Sequence, residues 1–305
     1  MNFEGNDIIS LRDFNRSEVE HILETAKLME ALTKSSSDML KGKISANIFL
    51  EPSTRTRMSF EAAMLKLGGN YISISEPRTS SIEKGESLVD TIRTMENYVD
   101  VITLRHPLEG AARLAAEVAF LPVINAGSGS GEHPTQALLD LYTINQEAGR
   151  IDGLSIAILG DLRYGRTSHS LAYALSLFNT TLYFVSPKSL KMRRDVLEDV
   201  SKRVNVIETE DIEEVIPKAD VLYVTRIQRE RFPDLEVYEK VKGTYRITRR
   251  SLCNAKKNLI VMHPLPRIDE ISQEVDQTPY AKYFKEVWYG LVTRMALLCL
   301  VLGAI

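Results

Sequence analysis

One alternation, run through twice, constrains this chain more than any other feature. Apolar runs that read as buried strands are each followed by a turn and a segment with apolar residues at helical spacing. The first round places strands at Ile44–Leu50, Tyr71–Ile74, Asp100–Leu104 and Leu121–Asn125. The second places them at Leu154–Leu159, Thr181–Val185, Val204–Ile207, Ala219–Thr225 and Asn258–Met262. Helical spacing marks Ser17–Leu32, Met58–Leu67, a segment ending near Tyr98, Leu108–Phe120, Pro134 to Gly149, a segment ending at Phe178, Ser189–Lys202 and Asp211–Ile216. Strands that alternate with helices pair in parallel, because only a crossover long enough to hold a helix returns the chain in the same direction. The expected class is α/β: two three-layer αβα domains with parallel central sheets, joined by bridging helices. The strongest run of chain breakers, Ala126–Glu132, marks the boundary, with a hinge at Gly127–Gly131, and the helix starting at Pro134 bridges the halves.

In such sheets ligands sit at the carboxyl ends of the strands. Arg55 and Arg105 lie just past strand ends in the first half, and Arg166, Arg226 and Arg267 in the second. The formal net charge is −3, so an anion site has to come from such local concentration of positive groups. Cys253 and Cys299 stand far apart without Cys or His at metal-ligand spacing, which argues against a disulfide framework and structural zinc and for a reducing, cytoplasmic setting. The start, Met1–Asp7, lacks a signal-peptide pattern. The apolar run Met295–Ile305 has 11 residues, short of the roughly 20 a spanning helix needs, and reads as a buried closing helix.

The densest chemistry lies in Glu51-Pro52-Ser53-Thr54-Arg55-Thr56-Arg57, between the first strand and its helix. The first turn of a helix has backbone N–H groups without intrahelical partners, and its dipole favours an anion. Ser53 is a good N-cap residue. Hydroxyls and guanidiniums suit phosphate oxygens, so the turn reads as a phosphate cradle. Further on, Glu76–Glu86 is a polar loop carrying Ser80 and Lys84; its spacing alone favours a solvated lid over an anion contact. His133 and Gln136 open the bridging helix, where a lone His more often caps. Gly160–Thr167 spells G-x-x-x-x-G-R-T, one residue from a nucleotide-binding P-loop. It lacks the lysine whose compact ammonium that loop needs, and Arg166 better suits a carboxylate. Gln228–Lys257 is highly charged with poor periodicity, which predicts a mobile loop with short helices, and Arg229–Thr244 would make a lid.

Ser53-Thr54-Arg55-Thr56-Arg57, Ser80 with Lys84, Arg105-His106-Pro107, His133-Pro134-Thr135-Gln136, Gly165-Arg166-Thr167, Arg226-Ile227-Gln228 and His263-Pro264-Leu265-Pro266-Arg267 together resemble the carbamoyltransferases, over essentially the whole chain. Ser-Thr-Arg-Thr marks the superfamily. His-Pro-Leu-Pro-Arg with Arg-Ile-Gln favours its aspartate-using branch, and the Cys that the ornithine enzymes carry in the Leu265 region is absent. The resemblance implies transfer of a carbamoyl group from carbamoyl phosphate to the amine of L-aspartate, in pyrimidine synthesis. It implies a carbamoyl phosphate domain at 1–132, with a C-terminal helix at about 285–305 packing back on it, and an aspartate domain at 133–284. It also implies a homotrimer whose sites are shared, with Ser80 and Lys84 reaching in from a neighbour. Glu109–Leu114 resembles the segment that, in one class, meets zinc-containing regulatory chains in a dodecamer.

The residues fit that chemistry. Ser53, Thr54, Arg55, Thr56, Ser80, Lys84 and Arg105 would cradle the phosphate. Thr56, Arg105 and His133 would donate to the developing oxyanion. Gln136 and the carbonyls near Pro264 and Leu265 would hold the carbamoyl NH2. Arg166 and Arg226 would take the two carboxylates, with Gln228 assisting and Lys84, Leu265 and Pro266 beside them. An amine nucleophile needs no covalent intermediate, and the scheme uses no metal or cofactor. Two other readings stay open at this level: transfer to another amine, which would want acids where Arg166 and Arg226 stand, and a non-catalytic phosphometabolite-binding protein.

Overall fold

The computed structural model describes residues 1–35, 37–75, 81–227 and 235–305. Its contacts divide them into one unit of Met1–Leu139 with Trp288–Ile305, and a second of Asp140–Val287. The chain passes between the units inside two helices, Pro134–Ala148 and Tyr283–Val301.

In the first unit, β1 (Ile44–Phe49), β2 (Asn70–Ile74), β3 (Val101–His106) and β4 (Val123–Ser128) form a parallel sheet in the order β2-β1-β3-β4. Helices α1 (Arg16–Leu32), α2 (Thr54–Lys66), α3 (Leu88–Met95) and α4 (Ala111–Val118) accompany it. One face of the sheet, Ala46, Ile48, Ile102 and Leu104, packs with Ile92 of α3 and Ala112 and Ala115 of α4. Helix α2 buries Thr56, Phe60, Ala63 and Met64, a stripe at helical spacing. Burying Phe60 and Met64 contributes about 1.5–3 kcal/mol each. Behind α2, the guanidinium of Arg294 lies 5.3 Å over the Phe60 ring and donates to Ser59 Oγ at 3.2 Å. The helix start is thus fixed by packing along its length.

In the second unit, β5 (Ser155–Leu159), β6 (Thr181–Val185), β7 (Asn205–Thr209), β8 (Val221–Val224) and β9 (Ile260–Met262) form a parallel sheet in the order β7-β6-β5-β8-β9. Helices α5 (Pro134–Ala148), α6 (Arg166–Leu175), α7 (Arg194–Ser201), α8 (Ile212–Val215), α9 (Leu235–Val241) and α10 (Tyr283–Val301) complete the chain. The core on one side is built from Ala157, Leu159, Leu222, Val224 and Val261 with Ile247, Leu252 and Tyr283.

Three expectations shift. Strand β4 runs on through Gly127 to Ser128, because Gly127 takes φ 119 and its N–H donates to Asn125 Oδ1 at 2.8 Å. The expected hinge at 127–131 lies within the first unit and is tied down: Gly129 N–H donates to His106 O at 2.9 Å, and Ser130 Oγ to Glu109 Oε1 at 2.5 Å. Strand β3 reaches His106, so Arg105 stands in the strand rather than beyond it. The closing helix, expected at about 285–305, spans Tyr283–Val301. No helix among the described residues is long and apolar enough to cross a membrane.

Candidate active site

All carboxyl ends of a parallel sheet lie on one edge, so the edge of the first unit can be read from its register. Phe49 at the end of β1 pairs with Arg105 of β3, and Leu50 N–H donates to Arg105 O at 2.8 Å. The turn that follows leads into α2, where Ser53 holds the N-cap position with φ −159. Its side chain makes no capping hydrogen bond, contrary to its sequence reading as a good cap. Thr54 and Arg55 are exposed, Ser53 is half-buried and Thr56 is buried. Arg57 is turned along the helix to Glu61, 3.3 Å away. The first turn of α2 therefore presents hydroxyls and a guanidinium with no acidic residue among them, the composition an anion requires.

Arg105 ties the edge together. Its Nε lies 3.2 Å from Glu51 Oε2, and its Nη1 donates to Ala126 O at 3.3 Å. A mostly buried guanidinium is thereby held between the β1–α2 turn and the β4 turn. Glu51 had no role assigned from sequence; only its place beside the cradle hinted at one. The same carboxylate pulls the His106 imidazole up, though burial outweighs it and leaves that group below its ordinary value. Ser128 bridges to Glu132, which brings His133 to this edge. His133 and Gln136 are both buried, and Thr135 Oγ1 lies 3.4 Å from His133 Nδ1. Glu132 is itself anchored by Ser10 Oγ at 2.5 Å and Leu11 N–H at 3.0 Å. Ser53 to Thr56, Arg105, His133 and Gln136 thus belong to one edge of one sheet. Lys84 is exposed in a short 3-10 turn, Ser81–Lys84, after the edge strand β2. Ser80 lies outside the described residues.

In the second unit the ends of β5, β8 and β9 are neighbours. They deliver Arg166, Arg226 and the Pro264–Leu265–Pro266 loop. A cleft there is lined by Gly160, Thr225, Arg226, Tyr238, Lys242 and Glu270, among others. Arg166 opens α6 and is buried, with an exposure of 6%. Leu265 has φ 53, the one non-glycine in that region among the described residues, and its bond to Pro266 is cis. An L-residue held there is an outlier of the kind that gathers at ligand sites. Arg267 is not a ligand candidate: it makes a two-pronged pair with Asp276, 2.5 Å on one prong, and lies 5.2 Å over the Tyr283 ring. Gln228 and residues 229–234 of the expected lid lie outside the described residues, and the rest of that segment carries α9.

The P-loop-like turn is filled by the protein's own groups. Asp161 Oδ1 accepts from Arg163 N at 3.1 Å and Tyr164 N at 2.9 Å. Gly160 has φ 120, and a Cβ there would stand 2.2 Å from Thr225 O. The glycine serves strand packing, and the N–H groups of the turn already serve a carboxylate. Among the described residues no group of His, Cys, Asp and Glu is arranged to hold a metal.

Residues 6–146 match the family model described as aspartate/ornithine carbamoyltransferase, carbamoyl-P binding domain, and 152–301 match its Asp/Orn binding domain. The chain is 58% identical, over 100% of its own length and 99% of the relative's, to the aspartate carbamoyltransferase catalytic subunit of Thermococcus kodakarensis. Its structure is similar to the catalytic subunit of Methanocaldococcus jannaschii aspartate transcarbamoylase, with TM-score 0.88 and 55% identity over 96% of both chains. It is also similar to the Trypanosoma cruzi enzyme in complex with N-(phosphonacetyl)-L-aspartic acid, with TM-score 0.94 and 42% identity over 98% and 97%.

Proposed function

The chain belongs to the aspartate/ornithine carbamoyltransferase family, and on that premise we propose how its two units share the transfer of a carbamoyl group from carbamoyl phosphate to L-aspartate. The products are N-carbamoyl-L-aspartate and phosphate, an early step of pyrimidine synthesis. The first unit takes carbamoyl phosphate. Its phosphate sits on the first turn of α2, against Ser53, Thr54, Arg55 and Thr56, with Arg105 on its flank. The carbonyl oxygen meets Thr56, Arg105 and His133, which strengthen their hydrogen bonds as the tetrahedral oxyanion forms. Gln136 and the Pro264 and Leu265 carbonyls accept from the carbamoyl NH2. The second unit takes aspartate, with its carboxylates on Arg166 and Arg226. The neutral amine attacks the carbonyl carbon, the C–O bond to phosphate breaks, phosphate leaves with the electron pair, and the amine's surplus proton passes to the departing phosphate. Much of the rate comes from holding the two reactants together.

The observation that carries this reading is Arg105, a guanidinium fixed beside a helix start whose N-cap side chain makes no capping bond. The test is a colorimetric assay for ureido product with aspartate, with ornithine and without acceptor. Product with aspartate alone is expected. Arg226→Ala should lose aspartate turnover and keep carbamoyl phosphate binding; unchanged kinetics in that variant would contradict the division of labour.

The assembly belongs to the same reading. The exposure of Lys84 in the single chain fits a residue that acts in a neighbour's site of a homotrimer, with Ser80 beside it. Mixing inactive Lys84→Ala and Arg55→Ala chains should restore activity if sites are shared, and restore none otherwise. Glu109–Leu114 opens α4 with Leu114 partly exposed, which suits a zinc-containing regulatory chain in a dodecamer. Purification from the native source with metal present should then yield more than a lone trimer.

A further inference from the structure

We propose that His263 and Glu270 form a strut that aims the Pro264 carbonyl, and that His263 works as the neutral tautomer with its proton on Nε2. The proposal rests on the reading above that the Pro264–Pro266 loop meets the substrates.

The ring is buried, with 1% exposure, immediately after β9. Leu265 N–H donates to His263 Nδ1 at 2.8 Å. A nitrogen that accepts carries no proton, so in a neutral imidazole the hydrogen is on Nε2. Nε2 lies 2.7 Å from Glu270 Oε1 and donates to it. The other oxygen of Glu270 accepts from Ile268 N and Asp269 N, each at 3.1 Å. The backbone N–H of His263 donates to Glu286 Oε2 at 3.1 Å. One imidazole therefore links the start of the loop to its end, with a fixed bond on each side.

The consequence lies in the peptide between Pro264 and Leu265. It is planar and trans, so its C=O points opposite to its N–H. Anchoring the Leu265 N–H on a buried ring directs the Pro264 carbonyl away from the core. That carbonyl is one of the acceptors assigned to the carbamoyl NH2. A doubly protonated ring would have no acceptor for Leu265, and the opposite tautomer would set a hydrogen against it. His263 and Glu270 are thus positioning residues; neither needs to touch a substrate.

Imidazole 15N spectra of this 305-residue chain, which has five histidines, test the strut directly. One ring should show a protonated Nε2 and a bare Nδ1 at neutral pH, and its signal should vanish in His263→Asn. A protonated Nδ1 on His263 would overturn the proposal. His263→Asn keeps an acceptor for the amide two residues on but does not reach Glu270. It and Glu270→Ala should lower kcat about 10- to 100-fold, the cost of a small misplacement, while inorganic phosphate binds as in wild type. Glu270→Gln should recover part of the loss, since its amide oxygen still accepts from Nε2. Should Glu270→Ala fail to fold, His263→Asn and the wild-type spectrum decide. Wild-type kcat and aspartate KM in both strut variants would overturn the strut. A carbamoyl phosphate complex in which neither the Pro264 nor the Leu265 carbonyl lies within hydrogen-bond distance of the carbamoyl nitrogen would overturn the substrate-contact reading, and the strut's effect on kcat with it.

Discussion

The turns β1–α2 and β5–α6 are the same device put to opposite uses. Each leads from a buried parallel strand into a helix with arginine in its first turn. In the first, Ser53 leaves the helix start without a side-chain cap and the nearest acid, Glu51, is paired with Arg105. In the second, Asp161 accepts two N–H groups of the turn, and Gly160 packs against Thr225. At the start of α2 the N–H groups lack a side-chain cap, which suits an anion from solution; in the β5–α6 turn two N–H groups just ahead of the helix are already taken by the chain's own carboxylate. An arginine in the first turn therefore predicts a phosphate site only where no carboxylate of the chain gets there first.

That contrast can be broken at several points. The largest effect is expected from Arg105→Ala, which should lower kcat by about 100-fold or more, as loss of an oxyanion donor does; steady-state rates check it. Asp161→Ala should instead cost stability, about 1–3 kcal/mol for two part-buried N–H donors that lose their acceptor. Urea unfolding would show the loss, and phosphate affinity should stay unchanged. Gly160→Ala should cost roughly 1–3 kcal/mol, from overpacking against Thr225, again with no change in phosphate binding. Ser53→Ala should do the reverse: stability within about 0.5 kcal/mol of wild type, and phosphate affinity down about tenfold for one lost hydrogen bond to a charged group. If Ser53→Ala unfolds the protein and Asp161→Ala weakens phosphate binding, the contrast is wrong.

The smallest effect separates the units by pH. Burial holds His263 below its ordinary 6.5. Burial pushes Glu270 up, but hydrogen bonds from His263 and the backbone outweigh it, leaving that carboxyl below 4.5. A group lowered in the folded state gives stability that is full above its unfolded value and lost as pH falls through its folded value. The second unit should therefore weaken on acidification, His263 first. In the first unit the shifts oppose one another: burial lowers His106, with the sign of His263, and raises Glu132 above 4.5, whose contribution is full below 4.5 and lost as pH rises through the folded value. Amide exchange at pH 7 and pH 5, corrected for intrinsic rates, should show the Leu265 amide, held by His263, losing protection before the amides of β3 and β4.

The order of elements was legible because buried parallel strands are apolar throughout and their helices keep one stripe. Boundaries were less so. Gly127 looked like a breaker and sits in β4, since a positive φ can be accommodated where Asn125 takes up its N–H. Arg55, Arg105 and His133 could be grouped because a parallel sheet puts every carboxyl end on one edge. What escaped were the residues that hold the site: Glu51 beside Arg105, Asp161 inside the turn, and Glu270 across the loop from His263. Each acts through a contact set by strand register or loop closure, and neither leaves a periodic signal. Arg267 shows the converse error, a strand-end guanidinium spent on Asp276.

The most direct test is a crystal structure of the chain soaked with carbamoyl phosphate. The phosphate should lie on the first turn of α2, within hydrogen-bond distance of Ser53, Arg55, Thr56 and Arg105, with the Asp161 turn bare of ligand. Phosphate bound at Gly160–Arg166, with the start of α2 unused, would contradict the account.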